Sequence, residues 1–192
     1  MEMLPSSVLV DSRYSVPAVG AATSGMAWLR AHVPRFVDGA THRRRRALVD
    51  WEVERLELCP YEHSPTKTLL SALGLDSALE ADVALVAGAY QPHAPQSRAA
   101  DDAADRLVAR CGGRGEVSAA RVCVLAQAHV ATLALIDHLR RDLTLPPVPT
   151  TRRTVPEGAE VLVDLTDAHF GRGPHRCPGE ALAYRLAAAA LA

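Results

Sequence analysis

Residues 170–180 read FGRGPHRCPGE, a glycine-bearing loop that delivers the thiol of Cys177 to the start of an alanine-rich segment. Pro178 suits the first position of a helix, where its missing N–H is one of the donors a helix leaves unpaired anyway. That makes Cys177 the expected N-cap, where free backbone N–H groups and the positive end of the helix dipole favour thiolate over thiol. Gly171, Gly173 and Pro174 permit a tight loop and leave no bulk where a flat ligand would press against it. A thiolate held by backbone donors beside an open, glycine-lined face suits an axial ligand to haem iron. A second pair with chemistry in it is His42 and Arg46, four apart in HRRRR (42–46) and so on one face of a helix, able to reach the same side of one ligand. Arg43, Arg44 and Arg45 read as a solvated face or as a docking face for a redox partner. The net charge is −1 and no aromatics interleave the run, which argues against a nucleic-acid surface.

The elements that must hold these residues are mostly helical. Of 192 residues, 48% are hydrophobic but only 4% aromatic, so the core is built from Ala, Leu and Val, which suits close-packed helices better than a β-sandwich. The length fits one domain over 1–192 with a core that needs no staples, led in by an irregular Ser-, Gly- and Pro-rich stretch, 1–25. Helical spacing marks 42–58, where Ala47, Leu48, Trp51, Leu56 and Leu58 recur. Shorter helices are expected at 64–74, closed by Gly74, and at 76–90; 97–111 is amphipathic and stopped by Gly112-Gly113. The longest candidate, 116–142, is apolar over most of its circumference and so is expected to be central and buried. It is broken by LPPVPTTRR (145–153), and GAEVLVDL (158–165) is the one convincing strand. The four cysteines show no CxxC spacing, against a disulfide framework or structural zinc; Cys59, Cys111 and Cys123 read as structural. With no basic leader and no stretch read as apolar enough to span a bilayer, a cytoplasmic protein without a membrane partner is expected.

The pattern Phe170-Gly171-x-Gly173-x-His175-x-Cys177-x-Gly179-x-x-Leu182-Ala183 resembles the haem-binding loop of the cytochrome P-450 family. Several fixed residue types over fourteen positions are much harder to match by chance than a short glycine motif. The resemblance implies haem b (iron protoporphyrin IX) as cofactor, Cys177 as the proximal thiolate and metal ligand, and His175 as a contact to a haem propionate. RFVDGATHRRRRALV (35–49) is similar to the family segment whose His and Arg, four apart, bind propionates, which places His42 and Arg46 in those roles. PPVPTTRRTVPEGAEVLVDL (146–165) resembles the segment where an arginine after a proline-rich turn meets a propionate before a strand; Arg152 and Arg153 are both candidates. The implied fold is a compact, reduced cytochrome P-450-like helical fold, mainly α with a small β element.

The chain also departs from that pattern. The family's central helix carries an acid and an alcohol that deliver protons to bound dioxygen, whereas the matching stretch here, AQAHVAT (126–132), has no acid. Either Ala128 and Thr132 face the haem or Gln127 and Ala131 do; His129, Gln127 and Thr132 are the candidate catalytic groups on the distal side. The family's Glu-x-x-Arg brace finds no room after the long helix, and Glu52-x-x-Arg55, which matches its spacing, precedes that helix and reads as coincidence. The meander before the cysteine loop is missing as well. These losses suggest a homodimer that covers the site, or an open one. The reading is a haem-thiolate oxidoreductase acting on a small organic molecule, in which the missing acid opens peroxide-driven or redox-neutral chemistry. The other reading is a non-catalytic haem-binding or accessory subunit docking on a full-length enzyme.

Overall fold

The structure is a computed structural model and describes residues 1–58 and 64–192; the expected turn at Cys59 lies outside the described residues. The helices are α1 (Gly25–His32), α2 (Gly39–Glu54), α3 (Pro65–Ala72), α4 (Glu80–Gly88), α5 (Arg98–Arg110), α6 (Glu116–Arg141) and α7 (Glu180–Leu191). The strands are β1 (Met3–Leu4), β2 (Thr150–Thr154) and β3 (Glu160–Asp164). The fold is mainly α with a small three-stranded sheet, as the sequence leads one to expect.

Helix α6 is the axis and packs against α1 to α5 and α7. By length and composition it is apolar enough to cross a membrane, contrary to the expectation that no stretch would be, but 56% of its most apolar stretch is buried inside the protein. A core helix surrounded by other helices carries the same apolar circumference as a spanning one. It ends at Asp142, in the left-handed region at φ 48°, where the N–H groups of Asp142 and Leu143 both reach the carbonyl of His138. Helix α5 shows the expected amphipathic stripe, with Ala100, Ala103, Ala104, Leu107 and Val108 buried at helical spacing. Its N-cap, Ser97, accepts from the Ala100 N–H at 3.2 Å, and Gly112 and Gly113, both at positive φ, follow its end. Ser97→Ala is expected to cost about 1 kcal/mol, read as a lower urea midpoint at unchanged m-value.

On helix α2, Leu48 packs against the core as the spacing suggests, but Trp51 does not, and two polar residues are buried instead. Its buried residues are His42, Val49 and Glu52, while Trp51 is 53% exposed and lies under the Arg55 guanidinium, 4.6 Å from ring centroid to Cζ. Glu52 is wholly buried; it pairs with Arg55 and accepts from Arg121 Nε of α6 at 2.9 Å. The Glu52-x-x-Arg55 spacing is therefore not coincidental: it is a buried ionic brace joining α2 to α6.

The sheet has order β1-β3-β2, with β1 parallel to β3 and β2 antiparallel to it, Arg152 opposite Leu162 and Arg153 opposite Val161. Pro156 and Gly158 make the β2–β3 turn, closed by the Gly158 N–H to the Val155 carbonyl. Strand β2 was hidden in the sequence because TTRRT has no apolar alternation; its partner β3 supplies the ladder. The lead-in is less irregular than its composition suggests. Met3 and Leu4 pair with β3, Ser6–Val10 form a 3-10 turn, and Leu9 packs with Val163 and Leu165. An exposed β3 edge and a small apolar patch give the lead-in a place to dock.

Candidate functional site

A cavity of about 600 Å³ lies between α2, α6, β2, the cysteine loop and the start of α7, within the range of ~300–1,000 Å³ usual for ligand sites. Its apolar wall comes largely from α6, with Val124, Ala128, Ala131 and Leu135. Among the described residues, six arginines and five histidines also line it and no Asp or Glu does, so the cavity selects for anionic groups. Of the residues singled out in the sequence, His42, Arg46, Gln127, Thr132, Arg152, Arg153, Phe170, Gly171, His175, Cys177 and Gly179 line it; Gly173 and His129 do not.

Cys177 sits two residues earlier than an N-cap. Helix α7 begins at Glu180 and its cap position is Gly179, because Pro178 and Gly179 form a turn rather than the first helical residues. The loop is fastened by the Cys177 N–H to the Phe170 carbonyl at 2.8 Å and the Gly171 N–H to the Ala168 carbonyl at 2.7 Å. Gly171, at φ 73°, occupies backbone space that other residues rarely enter. The thiol is open to the cavity but otherwise walled by protein. That burial pushes its pKa up, outweighing the Gly179 N–H donated to sulfur and the positive charges of Arg46 and Arg176. Contrary to the expectation of a preformed thiolate, the site without a ligand holds a thiol, and a metal cation is what would displace its proton.

Gly173 serves the fold rather than a flat ligand. At φ 65°, a Cβ there would stand 2.8 Å from the Leu9 carbonyl oxygen and 3.1 Å from Val10 Cγ1, so the lead-in packs where a side chain would be. Gly173→Ala is expected to destabilise by about 1–3 kcal/mol through backbone strain plus displacement of the lead-in, measured by urea unfolding.

The cationic rim has several parts. His42 is buried, and its ring lies 4.0 Å from that of His175 at 44° between planes. His175 Nε2 is 2.8 Å from Asp38 Oδ1, and Asp38 Oδ2 accepts from the Val16 N–H at 3.0 Å. Burial pushes His175 down to about 4, with His42 and Arg153 adding to it against the pull of Asp38; burial and Arg46 also lower His42. Both imidazoles are therefore neutral at pH 7 and act as hydrogen-bonding groups rather than charges. Arg46 gives Nε to Asp50 at 2.6 Å and Nη1 to the carbonyls of Arg176 at 2.6 Å and Pro174 at 3.2 Å, bracing the cysteine loop against α2. Arg152 pairs across the sheet with Glu160 at 2.7 Å. Arg153 is 3% exposed, donates to the Arg152 carbonyl, and has no ion pair among the described residues. Burial, with Arg35 nearby, pushes it down to about 10, still charged at neutral pH.

On α6 the two registers left open by the sequence both meet the cavity, since Ala128 and Thr132 line it along with Gln127 and Ala131. Gln127 donates Nε2 to Cys123 Sγ at 2.8 Å, and the Tyr90 hydroxyl donates to the same sulfur at 3.2 Å, so Cys123 is a buried structural thiol, as expected. Thr132 is fully buried, and its Oγ1 has no partner among the described residues. His129 is not among the residues that line the cavity. It turns about a quarter-circle from Ala128 around the helix, and its Nδ1 lies 2.7 Å from Thr66 Oγ1, tying α6 to α3. Sequence reasoning missed Arg35, Asp38 and Tyr90. Asp38, four residues before His42 at the N-cap of α2, was findable as a cap signal; Arg35 and Tyr90 carried none.

No protein-family model matches the chain, and no curated protein sequence does either. Solved structures do. P450BioI, crystallised in complex with an acyl carrier protein ligated to hexadec-9Z-enoic acid, matches with a TM-score of 0.67 and 17% identity over 97% of this chain and 81% of that one. CxnD, the cytochrome P-450 enzyme for C–S bond formation in chuangxinmycin biosynthesis, matches with a TM-score of 0.57 and 14% identity, covering 96% of this chain and 76% of that one. At these identities the likeness is one of architecture, and the chain has a cytochrome P-450-like fold.

Proposed function

We propose that this cavity holds haem b with Cys177 as the iron ligand, and that the protein is a haem-thiolate oxidoreductase acting on a small organic molecule. The observation that carries this reading is the joining, in one largely apolar cavity with no carboxylate among its described lining residues, of an accessible thiol and un-ion-paired guanidinium groups. A flat apolar ligand with two carboxylates and a metal answers each of these features. Thr132, whose buried Oγ1 has no partner among the described residues, stands on the α6 wall of the same cavity, where a buried polar atom left over by the fold marks a place a bound group can satisfy. Bound haem would supply an iron whose thiolate ligand donates electron density and favours O–O cleavage.

The chain's own residues divide the remaining work. Arg153, His42 and His175 would hold the propionates, while Arg46 keeps the cysteine loop in place. The α6 wall of Val124, Ala128 and Leu135 excludes water from one face. Thr132 and Gln127 are polar residues of α6 on the distal wall, the second with its amide nitrogen already given to Cys123. Among the described lining residues none is an Asp or Glu, so a proton on that side would move along hydroxyl, amide and imidazole groups, His138 of α6 among them. This supports chemistry driven by a peroxide, or needing no external oxidant, over dioxygen activation fed by electrons.

The test is the absorption spectrum of the purified protein loaded with haem, reduced and exposed to carbon monoxide, with Cys177→Ala alongside. A strongly red-shifted carbonyl Soret band in the wild type that vanishes in the variant is the expected result. A wild type that takes up no haem removes the reading. So does a carbonyl band unchanged by the substitution.

A further inference from the structure

Among the six arginines on the cavity wall, four are already engaged: Arg46 by Asp50, Arg152 by Glu160, Arg172 by Asp167 and Arg176 by Glu180. The other two, Arg35 and Arg153, form no ion pair among the described residues, and they are neighbours. Arg35, in the 3-10 turn Pro34–Phe36 between α1 and α2, donates Nη2 to Thr151 Oγ1 at 2.8 Å. Thr151 and Arg153 are two apart on β2, on one face and about 7 Å from each other. Arg35 also rests near the Phe36 ring, with Cζ 5.8 Å from its centroid. Of the five N–H donors in its fork, one has an acceptor among the described residues.

Two like charges held side by side in a concave, poorly solvated wall are unfavourable unless an anion joins them. Among the described residues the protein does not supply one: no Asp or Glu of theirs lines the cavity, and Asp38, whose charge Arg153 senses, is engaged by His175 and the Val16 N–H. We propose that Arg35 and Arg153 together form a two-guanidinium carboxylate clamp, with Thr151 as its spacer, and that Arg35 is a ligand-binding residue of the cavity. The planar fork of each arginine matches a carboxylate through two parallel N–H bonds. The carboxylate comes either from the cofactor of the proposed function or from an anionic substrate; the clamp rests on that function only in the first case.

The experiment uses the full chain and Arg35→Met and Arg153→Met, each shown by circular dichroism to keep the wild-type helix content, with Arg35→Lys as the charge-preserving control. Two titrations are run: haem, followed by its absorption, and 3-phenylpropionate, followed by calorimetry on the haem-free protein and on the haem-loaded protein. Loss of about tenfold or more in either affinity on Arg35→Met, with only partial recovery in Arg35→Lys, is the expected result. If haem affinity falls, the clamp holds the cofactor's carboxylate. If haem affinity is kept and 3-phenylpropionate binding falls, it holds a substrate's. A wild type that binds 3-phenylpropionate through Arg35 but takes up no haem leaves the clamp standing and removes the haem reading. If Arg35→Met binds both probes like the wild type, or the wild type binds neither, the clamp is overturned.

Discussion

Arg153→Met is expected to stabilise the ligand-free protein by about 1–3 kcal/mol while weakening haem binding by about tenfold or more. The two effects have one cause. Arg153 is 3% exposed and lacks an ion pair among the described residues, so the fold carries a desolvated cation without a compensating charge. A methionine of comparable length fills the same space without that cost. Burial depresses the folded-state pKa of Arg153 to about 10, below its ordinary value of about 12.5. For a base depressed in this way, the penalty is present in full below the folded value and is relieved only as pH rises above it. The gain from the substitution should therefore be the same at pH 6 and pH 8. Urea unfolding at the two pH values measures the first effect, and a haem titration the second. A variant less stable than the wild type, with haem affinity intact, would show that Arg153 is a structural cation and not a ligand-binding one.

The other large effect is expected from Glu52→Ala, a loss of about 3–5 kcal/mol, enough to leave the protein largely unfolded if its stability is ordinary for a domain of this size. Glu52 is wholly buried and holds guanidinium groups on both sides, Arg55 from its own helix and Arg121 from α6. Removing it leaves Arg121 with the Cys111 carbonyl, at 3.4 Å, as its remaining protein acceptor among the described residues, and opens a void between α2 and α6. Glu52→Gln separates the parts. It keeps the volume and one acceptor but not the charge, and should fall between the wild type and the alanine variant. Equal stabilities for all three proteins in a urea titration would mean that the α2–α6 contact rests on apolar packing alone.

The position of that brace marks the boundary of what could be read in advance. The spacing Glu52-x-x-Arg55 is plain in the sequence, but its meaning depends on Arg121, sixty-six residues further on, which only the packing of α2 on α6 brings to it. Local signals served well where local chemistry decides. The amphipathic stripe of α5, the Gly112-Gly113 stop and the apolar circumference of α6 each act within a few residues, and each is present. The cysteine loop belongs to the same class, since its glycines permit and its prolines fix the backbone conformation locally; its helix boundary shifted by two residues because Pro178 and Gly179 also suit a turn.

What the sequence could not decide was which groups remain free once the chain has folded. Arg152 and Arg153 are equivalent by type and neighbours, and the pleat separates them: one reaches Glu160 across the ladder, the other turns inward. His129 and Thr132 lie on the same helix, yet the rotation of α6 against α3 gives the histidine a hydroxyl partner and leaves the threonine facing the cavity alone. The thiol of Cys177 was read as a thiolate from its backbone donors, but burial outweighs them, because desolvation depends on how the folded chain packs around the loop. By itself the sequence determined a helical fold, a cysteine loop and a set of cations. Tertiary structure decided which of those cations are left without a protein partner, since charge compensation is settled by neighbours in space, not in the chain.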